Sequence, residues 1–151
     1  MAIDEKGRRQ IAAALFNHVW TLLNKLERSV EDDDEMVHAA HASAYHWLDV
    51  GNAANRARSE WQCSRVYAVL GRAEPSLHHA RRCLHFVESS SGEMEEWDLP
   101  AAYEALARAH AVAGDRAEME RYRALGLEAI AKVADEEDRA PIESDLAGIG
   151  L

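Results

Sequence analysis

Proline, phenylalanine and cysteine are scarce in this chain, at three, two and two residues. Valine and isoleucine are thin beside abundant alanine, and strand-like alternation of apolar and polar residues is absent. β-Branched side chains lose rotamer freedom in a helix whereas alanine has none to lose, so this balance predicts an all-α fold. No apolar run approaches the roughly 20 residues needed to span a bilayer. The first ten residues, "MAIDEKGRRQ", lack the apolar core of a secretory signal, so the expected location is cytoplasmic. Cys63 and Cys83 are too few for a disulfide framework and lack CxxC spacing. They are expected to be buried, reduced thiols at the same height across a helical hairpin.

Concentrated positive charge is missing as well. The net charge is −10, divided as −4, −1 and −5 over residues 1–50, 51–100 and 101–151. Without a basic stripe for phosphate contacts, nucleic acid is excluded as the expected partner, and an anionic surface disfavours acidic membranes. There is no GxxxxGK[ST] loop, GxSxG elbow, HExxH or strand-borne GxGxxG, which removes the common routes to catalysis. Acidic runs such as "DEED" at 135–138 read as solvated helix ends.

What is present is a three- and four-residue apolar period, as in Ile11, Leu15, Val19, Leu22 and Leu26, the mark of helices burying one face. Stop signals at Arg28-Ser29, Gly51-Asn52, Gly71-Arg72, Ser89 to Gly92, Gly114-Asp115 and Asp135 to Asp138 divide it. The division predicts helices near 5–28, 33–50, 53–70, 74–89, 98–113 and 116–134, with a short seventh near 141–148. "EDDDE" at 31–35 supplies carboxylates to a helix N-terminus, and Pro75 and Pro100 fall in first turns, where a missing amide proton costs little. The short gaps between helices favour antiparallel pairs. Gly71 and Gly114 stand 43 residues apart, and one further step back reaches Arg28, so the chain reads as three copies of one hairpin.

Two stretches, "SEWQCSRVYAVLGRAEPSLHHARRCL" (59–84) and "AAYEALARAHAVAGDRAEMERYRALGLEAI" (101–130), resemble tetratricopeptide repeats. The first has Tyr67 four residues before Gly71, Ser76 opening its second helix and Leu84 closing it. The second has Tyr103, Leu106 and Ala107 before Gly114-Asp115. His110 stands in place of an aromatic, Met119 in place of a small residue, and the trailing proline is missing. The resemblance implies one domain over 1–151, a right-handed superhelix of three hairpins capped by residues 136–151. It also implies a concave groove, lined by the first helix of each hairpin, that binds a peptide or partner helix without catalysis or cofactor. Carried over, the groove positions are His18 and Leu22, Trp61 and Arg65, and Glu104 and Arg108. Two arginines beside a tryptophan suit a carboxylate-bearing segment, because guanidinium donates paired hydrogen bonds and stacks on indole. The competing reading has Arg65 paired with Glu60 or another acid and Trp61 packed between hairpins. A homodimer is a second way to cover the apolar surface of such a stack.

A different reading starts from "MVHAAHASAYHW" (36–47). His38 and His41 share a helical face, whereas His46 falls about 140 degrees from His41. A third metal ligand must come from elsewhere, and His18 interrupts the apolar stripe of the paired helix. His18, His38 and His41 with an open fourth position would suit zinc or another divalent transition metal, and hence a metal-binding helical protein or small hydrolase. The faint similarity to DinB-like four-helix proteins lacks their late His-x-x-x-His pair. Against the metal, the surrounding alanines make this helix apolar nearly all round and predict that it is the most buried, with its histidines hydrogen-bonded in the core.

Overall fold

The computed structural model describes residues 2–150, and its regular elements among them are all helices, with no strand. Seven α-helices follow one another: α1 (Glu5–Leu23), α2 (Val30–Val50), α3 (Ala53–Val69), α4 (Ala73–Ser89), α5 (Asp98–Val112), α6 (Arg116–Ile130) and α7 (Glu136–Gly148). A 3-10 turn at Ser91–Glu93 precedes α5. Helices adjacent in sequence pack together, most extensively α1 on α2, α3 on α4 and α5 on α6. The odd-numbered helices also meet, with α3 against α5 and α5 against α7.

The caps explain the boundaries. Ser29 and Asp32 form a capping box on α2, and Asn52 and Asn55 form one on α3. Lys25 and Arg28 in the preceding loop pair with Asp32 and Asp33. These contacts hold residues 24–29 as a loop, so α1 stops at Leu23 rather than near 28 and α2 starts at Val30 rather than 33. In α7, Asp135 accepts from the amides of Glu137 and Asp138, and the helix therefore begins at Glu136, with Pro141 inside it rather than at its start.

Two hairpin turns are the same device used twice. Gly71 and Gly114 have φ of 73° and 75°. The next amide reaches back five residues in each, Arg72 to Tyr67 O at 2.9 Å and Asp115 to His110 O at 3.0 Å. These are Schellman C-caps, which favour glycine because a Cβ is strained in the left-handed region. The turn of the first hairpin lacks this glycine.

Four apolar clusters run along the stack, from Val19, Leu22, Met36 and Val66 at one end to Met119, Ile130, Leu146 and Ile149 at the other. Alanines line many contacts and let helix axes approach, while buried polar groups fix register. Ser64 and Ser76 each donate to the other's carbonyl at 2.9 Å across the second hairpin. Gln62 Nε2 donates to Phe16 O at 2.9 Å. Cys63 and Cys83 are buried free thiols, but they sit in separate clusters rather than facing each other. Burial pushes Cys63 up to about 12.

The most buried helix is α5, not α2. Helix α5 touches α3, α4, α6 and α7, whereas α2 buries Met36, Ala39, Ala40, Ser43 and Val50 and leaves Tyr45 and Leu48 exposed. Position explains the difference, because α2 packs mainly on α1 and α3, reaches α4 through the His41–His79 ring contact, and leaves Tyr45 and Leu48 exposed.

A tryptophan-lined cleft between the odd-numbered helices

The inner faces of α1, α3, α5 and α7 enclose a cleft of about 420 Å³. Phe16 and Trp20 of α1, one turn apart, contribute from one side, and Ala57, Arg58 and Trp61 of α3 from the middle. Trp97, Asp98 and Ala101 at the start of α5 and Pro141, Ile142 and Asp145 of α7 lie opposite, and Cys83 of α4 also reaches it. The rings of Trp20 and Trp61 lie 5.5 Å apart at 36°.

Beside this apolar floor the charges are paired. Arg58 grips Asp98 with two bonds, Nε to Oδ1 at 3.0 Å and Nη2 to Oδ2 at 2.9 Å, and its guanidinium lies 4.4 Å from the Trp97 ring centre. Asp98 is 3% exposed and also accepts the Glu95 amide at 2.8 Å. Glu104, 1% exposed, receives Trp61 Nε1 at 3.1 Å, Arg108 Nε at 2.6 Å and Arg65 Nη1 at 3.5 Å. The same Arg65 atom reaches Asp145 of α7 at 3.4 Å. A buried carboxylate needs such partners, because an unpaired charge removed from water is costly. Glu137 and Asp138, exposed at the edge of the cleft, have no basic partner among the described residues.

Of the groove residues expected from the 43-residue step, Trp61, Arg65, Glu104 and Arg108 do converge. They converge on one another: the carboxylate that the two arginines take is the protein's own. Leu22 is corrected, since it is 4% exposed and packs with Val19 and Met36 in the core. The glycine-free first turn shifts the register, so α1 presents Phe16 and Trp20 to the cleft, 41 residues before Ala57 and Trp61. His18 instead faces Glu35 at 3.4 Å.

His18, His38 and His41 are not brought together. His41 Nε2 lies 2.7 Å from Tyr67 Oη of α3, and its ring packs edge-on to His79 of α4 at 5.3 Å. His79 Nδ1 is 2.5 Å from Glu60 and its ring stacks on Tyr67. Among the described residues no group of three or more histidine, cysteine or acidic side chains is placed to hold a metal ion. The reading of His38 and His41 as core residues fails too, because both are exposed. Desolvation by its neighbours and the nearby His79 hold the His41 imidazole below its ordinary value.

Phe16, Trp20, Arg58, Trp97 and Asp98 were not singled out from sequence. A usable signal was there: Trp20, Trp61 and Trp97 fall at or beside the first helix of successive hairpins. No family model, curated protein or solved structure matches this chain.

Proposed function

We propose that this chain is a tetratricopeptide-like interaction module that, without catalysis, takes a basic amphipathic segment of a partner protein in the cleft between α1, α3, α5 and α7. Three tryptophans and a phenylalanine offer the large apolar contact that anchors partner side chains. The paired glycine turns 43 residues apart support the repeat reading.

The observation that carries the sign of the partner's charge is the fate of the arginines. Arg65 and Arg108 are turned onto Glu104 and Asp145, so neither is left for an incoming carboxylate. Glu137 and Asp138 stand unpaired at the edge, and the whole chain carries −10. An acidic segment, the expectation from sequence, would meet like charge there; a basic one meets complementary charge, which steers association and sets specificity.

The test is calorimetric titration with two helical peptides sharing apolar positions, one bearing lysines and the other glutamates at the flanking positions. The lysine peptide binds and weakens with added salt, as screening of an exposed charge interaction requires. Equal or tighter binding of the glutamate peptide sinks the proposal.

A further inference from the structure

We propose that the cleft is a cage for an alkylammonium head, walled by Trp20, Trp61 and Trp97 and completed by the carboxylates of Glu137 and Asp138. The inference rests on the docking reading above and names its anchor: the head of a lysine side chain, plain or methylated, on the partner segment.

The chain already carries out this recognition once, on itself. Arg58 lies 4.4 Å from the Trp97 ring centre while its Nε and Nη2 donate to the Asp98 carboxylate, so one cation is shared by an indole and an acid inside the same cleft. Trp61 has Arg65 at the far limit of such contact, 6.0 Å. Among the described residues no cation lies over Trp20. Tryptophan gives the strongest cation attraction of the aromatic residues, and clustered aromatic walls are the known solution for ammonium groups that cannot be satisfied by hydrogen bonds alone.

Size and charge agree with that class. A cleft of about 420 Å³ lies within the roughly 300–1,000 Å³ of small-ligand sites. Its charged lining comprises one base, Arg58, against four acids, Asp98, Glu137, Asp138 and Asp145. Asp98 is neutralised by Arg58 and Asp145 by Arg65, which leaves Glu137 and Asp138 to balance a guest's charge. Both side chains are exposed in the first turn of α7, and the N-cap Asp135 holds that turn without them.

The probes are choline and 3,3-dimethylbutan-1-ol, which share a shape and differ in a quaternary nitrogen replacing a carbon. Indole N–H signals are followed by NMR, with Trp47, which lies outside the cleft, as an internal control. Choline shifts Trp20, Trp61 and Trp97 but not Trp47, binds about tenfold tighter than the alcohol, and loses several-fold in E137Q/D138N. Equal binding of the alcohol, equal shifts at Trp47, or undiminished choline binding by E137Q/D138N overturns the cage. Replacing each lysine of the bound peptide in turn by norleucine separates the two readings. A peptide that binds the cleft and loses nothing at any lysine removes the cage and leaves the docking reading standing. Selective choline binding by a protein that ignores the lysine peptide keeps the ammonium site and removes the partner.

Discussion

The indole Nε1 of Trp61 donates to Glu104 Oε2 at 3.1 Å, joining two residues one 43-residue step apart on neighbouring helices. Glu104 in turn gathers Arg65 and Arg108, so one buried carboxylate ties α3 to α5 and, through Arg65 and Asp145, to α7.

Removing that carboxylate leaves Arg65 with Asp145 alone and takes from Arg108 its ion-pair partner. Breaking a buried ion pair costs roughly 3–5 kcal/mol. Arg65 and Arg108 keep 18% and 24% of their side-chain surface exposed, and solvent recovers part of the loss. Glu104→Gln is therefore expected to lower unfolding free energy in urea by about 2 kcal/mol. A change under about 0.5 kcal/mol, the scale of an ordinary surface substitution, contradicts the structural role of Glu104.

Gly71 and Gly114 are free of crowding, since an added Cβ would meet nothing within 4 Å. Their cost on substitution is conformational alone, from φ near +75°. Gly71→Ala and Gly114→Ala are each expected to destabilise by about 1 kcal/mol, and the double variant by about the sum, because the turns share no partners. Equal unfolding curves for wild type and the double variant would remove the paired Schellman turns.

Gly126 acts differently. A Cβ there would stand 2.8 Å from Leu146 Cδ2, and Leu146 is the fully buried anchor of α7. Gly126→Ala is expected to push α7 off α6. The readout is hydrogen exchange, with protection falling over 136–148 and little change in α1 to α4. Uniform loss of protection, or none, speaks against α7 docking through this contact.

The helical class, the hairpin pairing and the glycine turns were legible in sequence because they rest on local signals: apolar period, caps and stop residues. That Trp61, Arg65, Glu104 and Arg108 come together was legible because the 43-residue step holds between the second and third hairpins, although only Trp61 of the four lines the cleft. Leu22 failed because a step inferred from glycine turns does not reach a turn without one. The histidines of α2 were misplaced for another reason. Alanine suits both a tight interface and an open helix surface, so "HAAHASAYHW" does not say which side of α2 lacks a neighbour.

Acid sensitivity follows from two imidazoles. Desolvation, with the charge of His79 adding to it at His41, lowers His41 and His110 from the ordinary value near 6.5. His41 faces Tyr67, His79, Glu60 and His38; His110 stacks on Tyr122 near Asp115, Glu118, Arg81 and Arg121. A base held low in the folded state binds more protons unfolded. Its contribution is whole above about pH 6.5 and is lost as pH falls through that value toward the folded one. The melting temperature is expected to drop between pH 7.5 and 5.5, and H41Q/H110Q to flatten the slope. Asp32 and Glu118, lowered by hydrogen bonds from Lys25 and Arg121, act only in a separate window below about pH 4.5. An unchanged slope in the double variant assigns the acid loss elsewhere.

Mapping the bound lysine peptide by amide NMR shifts tests the central claim most directly. The account predicts shifts along the cleft, at Trp20, Ala57, Trp61, Ala101 and Ile142 on α1, α3, α5 and α7. Shifts confined to the outer face of α2 and α4, around Tyr45, Leu48 and His41, would contradict it.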